Sequence, residues 1–280
     1  MRFSEEAERF MRLGSDRLVC LAGILASRSL GCSILKLGEA RHLVARTGKE
    51  APHLILVAHY DRASGSPGTL DNSCACIQLA DFASRASSAA LPLLFVFTDA
   101  EEVPALGEAS SQGSFALARA LSAKGIQAEG LRALVLDMTG RGDRLILSTA
   151  PSELLERNGL SLSSAASGYH ELAALAERAA SRAGLASPLE IALPWSDDLG
   201  LTLGGIPALT VSLLPEEETS TLFSGERPKT WDYMHSPSDM PSLAWELSFA
   251  LMARFLDAIA IPLRPQPSCL REQSQDLYTE

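Results

Sequence analysis

Short apolar segments recur along the chain, each bounded by polar or turn-forming residues. The segments are 54–58, 91–97, 131–136, 145–147 and 208–214. None of them alternates regularly between apolar and polar positions, as a strand with one solvent-exposed face does. Such runs are typical of strands that are buried on both faces of a sheet.

Between these segments, apolar residues recur at the spacing of amphipathic helices. The pattern predicts helices over 72–87, 111–123, 169–183 and 242–261, and a helical region over 5–28. The alternation of strands and helices predicts an α/β fold in which a mostly parallel or mixed central sheet is sandwiched by helices. The polar stretch 216–233 predicts a long loop, and such loops in compact domains are often functional.

Length and composition predict one large globular unit. The chain has 280 residues, of which 46% are hydrophobic, so we expect a single domain over residues 1–264 and a polar C-terminal tail over 265–280. The formal net charge of −10 argues against nucleic acid as a partner, because phosphate binding requires a surplus of Lys and Arg. We see no apolar stretch of the ~18–20 residues that a membrane span requires and no signal peptide.

The five cysteines form no C-x-x-C pair, which favours a reducing compartment over a disulfide framework. We therefore expect a cytoplasmic protein that contacts no membrane, and the sequence leaves its oligomeric state open. Cys74 and Cys76 lie two positions apart in a predicted helix, so at most one of them should point into the core.

Ionisable residues follow directly after three of the predicted strands. They are His59 and Asp61, then Glu101 and Glu102, then Asp137. Because ligands bind outside the carboxyl ends of strands in open α/β sheets, we expect these side chains to lie at one edge. Asp71 and His235 are further candidates, from the start of a predicted helix and the end of the irregular stretch.

Crowded carboxylates would have to take up protons unless a cation neutralises them. Imidazole together with carboxylate suits zinc. Glu101 and Glu102 are neighbours, and neighbours on an extended segment point to opposite sides, so one would bind metal while the other activates water. Taken singly, each residue has an ordinary explanation, such as a helix cap for Asp71 or a core histidine for His59.

These residues occur in motifs that resemble metallopeptidase family 28, the co-catalytic zinc aminopeptidases. The matching motifs, in the family's order, are 59–61, 68–72, 99–102, 136–138, 196–198 with 205–207, and 235–239. The likeness spans roughly residues 54–240. It implies a zinc-exopeptidase fold of the phosphorylase/hydrolase-like type and an aminopeptidase that acts on peptides or small aminoacyl compounds.

The resemblance also implies a role for each matching residue. Two zinc ions are expected, although one is possible. Asp71 would bridge them, with His59 and Asp137 on one ion and Glu102 and His235 on the other. Glu101 would be the general base, Asp61 would orient His59, and Asp197 would lie near the substrate amine, although a helix cap is an ordinary explanation for it. Trp231 and Tyr233, outside these motifs, are further candidates for contact with the substrate. Asp198 stands where the family commonly has His, and a position facing solvent is an ordinary explanation for it.

Two alternatives stay open. Glutaminyl cyclases share the fold and much of the motif set, but they bind one zinc ion and cyclise an N-terminal glutamine. Ala58 and Met234 stand where many of them have Cys and Trp, which favours the peptidase. The other alternative is a binding protein of the same fold that has lost catalysis.

Overall fold

The structure is a computed structural model that describes residues 1–102, 109–123, 130–161, 163–194 and 196–261. The predicted tail, 265–280, lies outside the described residues. The domain boundary at residue 264 therefore stays a prediction.

Eight strands form a single sheet in the described part of the chain. They are β1 (Ser33–Leu37), β2 (Ala40–Arg46), β3 (Leu54–His59), β4 (Leu93–Thr98), β5 (Arg132–Leu136), β6 (Arg144–Ser148), β7 (Leu189–Ile191) and β8 (Ala208–Leu214). Their spatial order is β1-β2-β4-β3-β5-β8-β6-β7. The central strands β4, β3, β5 and β8 are parallel, whereas β2 joins β4 and β6 joins β8 in antiparallel fashion. The predicted α/β fold with a mixed sheet is confirmed.

Helices cover both faces of this sheet. They are α1 (Glu5–Met11), α2 (Arg17–Ser27), α3 (Cys74–Ser88), α4 (Gly113–Ala123), α5 (Ala150–Arg157), α6 (Ser164–Arg182), α7 (Asp197–Leu203), α8 (Thr219–Ser224) and α9 (Glu246–Ile259). Short helical turns occupy Ala109–Ser111, Glu216–Glu218, Lys229–Tyr233 and Pro241–Leu243, and an irregular turn, Thr69–Ser73, leads into α3.

Alternate residues of each central strand pack on opposite faces of the sheet. In β3, Leu56 belongs to a core cluster shared with α2, α3, α6 and α9, whereas Ile55 and Val57 belong to a second cluster shared with α4 and α7. Because both faces are buried, every position of β3 is apolar up to its last residue, His59. This arrangement explains why the five apolar segments correctly predict five of the strands.

The remaining differences from the sequence predictions have local causes. The exposed edge strand β1 carries no continuous apolar run. The predicted helix 5–28 is two helices, because Gly14 takes a positive φ of 78° between them and Asp16 caps α2 through Val19 N–H. The stretch 216–233 is not one loop, since it contains α8 and two helical turns.

The prediction that only one of Cys74 and Cys76 points into the core is wrong, because both are fully buried. Cys76 packs in the core beneath the sheet and donates to the carbonyl of His59 at 3.1 Å. Cys74 packs instead in a separate cluster with Phe3 and Met11 of the N-terminal region. The first turn of α3 is therefore enclosed on two sides.

The described helices include none that is both long enough and apolar enough to cross a membrane.

Candidate metal centre

Three adjacent parallel strands deliver the predicted site residues to one edge of the sheet. His59 is the last residue of β3, Glu101 and Glu102 lie just beyond β4, and Asp137 follows β5. Since β3 pairs with both β4 and β5 in parallel, their carboxyl ends lie side by side. The structure therefore brings these residues together at one edge of the sheet, as the sequence predicts.

Asp71 lies between two imidazoles and presents a different oxygen to each. Its Oδ1 is 3.1 Å from His59 Nε2, and its Oδ2 is 3.2 Å from His235 Nε2. Asp137 Oδ1 lies 3.7 Å from His59 Nε2, and Glu102 Oε2 lies 3.2 Å from His235 Nε2. The five predicted ligands thus form two groups that share Asp71.

The donor atoms of this cluster fit a metal ion. Several are buried and have no hydrogen-bond partner among the described residues, namely His59 Nε2, Asp71 Oδ2, Glu102 Oε1 and Asp137 Oδ1. One ligand atom from each of His59, Asp71 and Glu102 lies within 4.8 Å of the others. Atoms held ~2.0–2.1 Å from a tetrahedral zinc ion lie roughly 3.3 Å apart, close to the spacings found here.

Burial and close charges shift the pKa values of the ionisable groups in this cluster. Burial raises the pKa of Glu102 to about 8 and that of Glu101 well above its usual value. Burial also acts to lower the pKa of His59, but Glu101 and the nearby aspartates outweigh it and raise that pKa well above normal. Like charges buried this close together are strongly unfavourable unless a cation neutralises them.

Two buried side chains hold Asp71 in place. Both oxygens of Asp239 accept backbone N–H groups, from Leu70 at 2.8 Å and from Asp71 at 3.2 Å. Asn72 donates to the carbonyl of Leu136 at 2.8 Å and accepts from Met138 N–H at 3.3 Å, which fixes the two neighbours of the predicted ligand Asp137. Sequence reasoning assigned no role to Asp239 or Asn72, because these contacts join residues far apart along the chain.

Asp61 contacts residues from two strand ends. Its Oδ1 lies 3.5 Å from His59 Nδ1, and its Oδ2 accepts the backbone N–H of Glu102 at 2.9 Å. This position suits the predicted role of orienting His59, since a carboxylate behind a ligating imidazole fixes its ring and tautomer. The second contact, to the segment that carries Glu102, was not predicted.

Glu101 and Glu102 occupy a bend and not the extended segment predicted from sequence. Asp99 creates the bend by accepting the N–H groups of Ala100 and Arg41, and Ala100 takes a positive φ of 62°. The two side chains nevertheless diverge. Glu102 points to His235, whereas Glu101 is buried and its Oε1 accepts from Gln112 at 3.4 Å.

The predicted substrate contacts lie in different surroundings. Trp231 lines a cavity beside Asp137, together with Met138, Leu193, Pro194, Ser196, Thr210, Ser212 and Met234. Asp197, the first residue of α7, is fully buried and accepts a hydrogen bond from Thr98, and burial raises its pKa to about 6. Tyr233 is half-buried at the end of the turn that carries Trp231.

Asp198 does not face solvent; it is 1% exposed and accepts the backbone N–H of Thr210 in β8. Burial raises its pKa to about 7 from an ordinary value of 3.8. Because the folded-state pKa lies above the unfolded value, folding favours the protonated form. The resulting stability is present at low pH and is lost as the pH rises from about 4 through about 7.

Asp198→Asn removes this titration and keeps an oxygen that accepts from Thr210. We expect the variant to be more stable than the unchanged protein. Its free energy of unfolding should be higher by on the order of a few kcal/mol at about pH 8.5, and by much less at about pH 5. Denaturant unfolding with a chelator present would measure both values. Asp257→Asn, which changes a half-exposed carboxylate, is the control. A gap that is the same at both pH values would contradict the expectation.

Comparisons with known proteins agree with this geometry. A family model described as peptidase family M28 matches residues 42–258, which is most of the chain. The chain belongs to peptidase family M28. No curated protein sequence matches it.

Solved structures similar to this family M28 chain include both aminopeptidases and glutaminyl cyclases. The LapA aminopeptidase of Legionella pneumophila has a TM-score of 0.65 at 19% identity, covering 93% of this chain and 69% of LapA. A Bacteroides thetaiotaomicron glutaminyl cyclase bound to N-acetylhistamine has a TM-score of 0.67 at 15% identity, covering 94% of each chain. BSAP, a zinc aminopeptidase from Bacillus subtilis, has a TM-score of 0.55 at 18% identity, covering 79% of this chain and 49% of BSAP.

These identities show a shared fold. Both aminopeptidases and glutaminyl cyclases have this fold, so the fold alone does not separate the two activities.

Proposed function

We propose that this member of family M28 is a zinc-dependent aminopeptidase that hydrolyses N-terminal amino acids from peptides. The observation that carries the proposal is the placement of Asp71, whose two oxygens face His59 and His235 at 3.1 and 3.2 Å. A carboxylate in this position suits a bridge between two metal ions. Asp137 would complete the first set and Glu102 the second.

Zinc suits this donor set of imidazole and carboxylate. BSAP, a zinc aminopeptidase, has the same fold. When bound, zinc would act as a Lewis acid on the scissile carbonyl and on a water molecule. Glu101 would take the proton from that water. Its buried carboxylate, whose Oε1 accepts from Gln112, would then pass the proton on to the leaving amine.

The lining of the cavity beside Asp137 favours a substrate with an apolar side chain. Leu193, Trp231 and Met234 are among its walls, and hydroxyl groups of Ser196 and Ser212 are among its polar lining. An acidic side chain in this cavity would meet the carboxylate of Asp137 and be repelled. We therefore expect leucyl and methionyl substrates to be cleaved faster than aspartyl or glutamyl ones.

The activity is tested by incubating the zinc-loaded protein with a panel of aminoacyl anilides, with and without a chelator. We expect chelator-sensitive release of the anilide, fastest for medium-sized apolar residues. Elemental analysis of the same sample should find two zinc ions per chain. Absence of turnover across the panel, in protein that holds its zinc, would reject the aminopeptidase.

A glutaminyl cyclase is the second candidate, because the Bacteroides thetaiotaomicron glutaminyl cyclase matches 94% of both chains. The same protein sample can be incubated with a peptide that begins with glutamine. A cyclase would release ammonia and form pyroglutamate with the peptide otherwise intact, whereas an aminopeptidase would release free glutamine. One zinc ion per chain would accompany the first outcome. A protein without zinc or turnover would be the catalytically inactive binding relative.

A further inference from the structure

The N-terminal helices α1 and α2 lie outside the residues that the family model matches. They nevertheless contact the segment that contains the proposed metal ligand Asp71. We call residues 60–73 the ligand segment, because it begins just after His59 and contains Asp61 and Asp71. The family match starts at residue 42, so α1 and α2 precede it. The contact between helices and ligand segment is made mainly through arginine side chains.

Arg17, the first residue of α2, holds both ends of the ligand segment. Its Nε donates to the carbonyl of Tyr60, the residue after the ligand His59. Its Nη1 donates to Ser73 Oγ at 3.0 Å and to the carbonyl of Pro67 at 3.4 Å. One planar guanidinium therefore fixes the start, the middle and the end of the segment.

Arg62 makes the reverse connection, from the ligand segment back to the N-terminal helices. Its guanidinium donates to the carbonyls of Met11 at 3.3 Å and Arg12 at 3.1 Å, and also to the carbonyl of Pro67 at 3.2 Å. The carbonyls at the end of a helix lack partners within the helix and carry partial negative charge. The end of α1 thus supplies acceptors for the segment's own arginine.

The charge of Arg17 is unusually well enclosed. The side chain is 7% exposed, and its guanidinium carbon lies 4.0 Å from the centre of the Phe10 ring. Burial lowers its pKa to about 10, and the nearby Asp61 and Asp71 act in the opposite direction, so it stays positively charged at neutral pH. A buried charge without partners is strongly unfavourable, and here three carbonyls and the hydroxyl of Ser73 accept from Nε and Nη1, whereas Nη2 has no partner among the described residues.

We propose that Arg17 is a positioning residue of the metal centre: by binding Tyr60, Pro67 and Ser73, it sets the spacing between the ligands His59 and Asp71. The inference rests on the proposed metal site. It assigns a function to an N-terminal region that the family match does not include. Arg17 forms no hydrogen bond with the proposed ligand atoms and does not line the substrate cavity, so it would position the ligands through the ligand segment.

The test compares Arg17→Met and Arg17→Lys with Arg28→Met in the full chain. Arg28 follows the other end of α2 and bonds Asp81 of α3 at 2.6 Å, away from the ligand segment, so its variant is a control for weakening the docking of the helix. Each protein is titrated with zinc against a competing chelator. Each is also loaded with cobalt(II), whose visible absorption spectrum reports ligand geometry.

We expect Arg17→Met to bind zinc ~10–100-fold more weakly, the range seen when a group that orients a ligand is lost. Its cobalt spectrum should shift, and its kcat should fall more than its KM changes. Arg17→Lys should lie in between, because an ammonium keeps the charge but cannot form the planar fork. Arg28→Met should retain the zinc affinity and cobalt spectrum of the unchanged protein.

Folded Arg17→Met with unchanged zinc affinity and cobalt spectrum would overturn the role of Arg17 and leave the proposed function intact. If the unchanged protein binds no zinc in the same titration, both proposals are overturned. Should Arg17→Met fail to fold, Arg17→Lys and Ser73→Ala decide the matter. Ser73→Ala removes only one acceptor of the guanidinium, and unchanged affinity in both variants would again overturn the inference.

Discussion

Replacing Glu101 by Gln should lower kcat by ~10²–10⁴-fold while zinc content stays at the level of the unchanged protein. Glutamine has nearly the same size and keeps an oxygen for the contact with Gln112, but it cannot accept a proton from water at neutral pH. Glu101 is also absent from the proposed ligand set, in which His59, Glu102, Asp137 and His235 surround Asp71. Initial rates with the best aminoacyl anilide and metal analysis of the same sample measure both quantities.

The neighbouring glutamate provides a matched comparison. Glu102→Gln makes the same chemical change one residue along, but Glu102 Oε2 lies 3.2 Å from His235 Nε2 in the proposed ligand set. We expect this variant to lose zinc and to regain part of its activity at high zinc concentration. Glu101→Gln should not respond to added zinc. If Glu101→Gln loses zinc as readily, or keeps activity within about tenfold, Glu101 is not the base.

The central sheet could be predicted because the physical cause is local. Strands β3, β4 and β5 are buried on both faces, so each appears in the sequence as a run that is apolar except at one end. The ionisable residues directly after these runs then had to meet at one edge, because neighbouring parallel strands end together. The order of the motifs added the identity of the family, which the match over residues 42–258 confirms.

The support of the site could not be predicted in this way. Asp239 holds the backbone of Asp71, and Arg17 holds the segment before and after it, through contacts that span large distances along the chain. No periodicity or spacing marks such contacts. The burial of Asp198 could not be predicted either. A second charged residue beside Asp197 suggests a surface position, and only the packing of β8 against α7, with Thr210 N–H donating to Asp198, buries it.

The misassigned stretch 216–233 has a different cause. Its Glu, Thr, Ser and Gly residues favour a loop by composition, but Glu218 accepts the N–H and hydroxyl of Thr230 at 2.7 and 3.0 Å and closes the stretch on itself. Two short helical turns and α8 then fill it. The closure places Trp231 and Met234 against the cavity beside Asp137, so this local folding builds one wall of the proposed substrate pocket.

Replacing Asp71 by Asn should remove zinc from the protein. Each oxygen of Asp71 faces a different histidine, so a single carboxylate serves both halves of the proposed centre. Asparagine keeps the shape but replaces one oxygen by an NH₂ group, which cannot bind a metal, and it also removes a negative charge from between the two ions. We expect zinc affinity to fall by more than the ~100-fold caused by losing an orienting residue, and activity to fall to background.

The matched control is Asp197→Asn, which changes another fully buried carboxylate at the same edge of the sheet that lies outside the proposed ligand set. It should keep both zinc ions, whatever its effect on turnover. Metal content per chain, measured after exhaustive dialysis, separates the outcomes. Loss of one ion from Asp71→Asn would mean that only one half of the centre depends on this carboxylate. Retention of two ions would exclude Asp71 as the bridge, because no other described carboxylate lies within reach of both histidines at comparable distances.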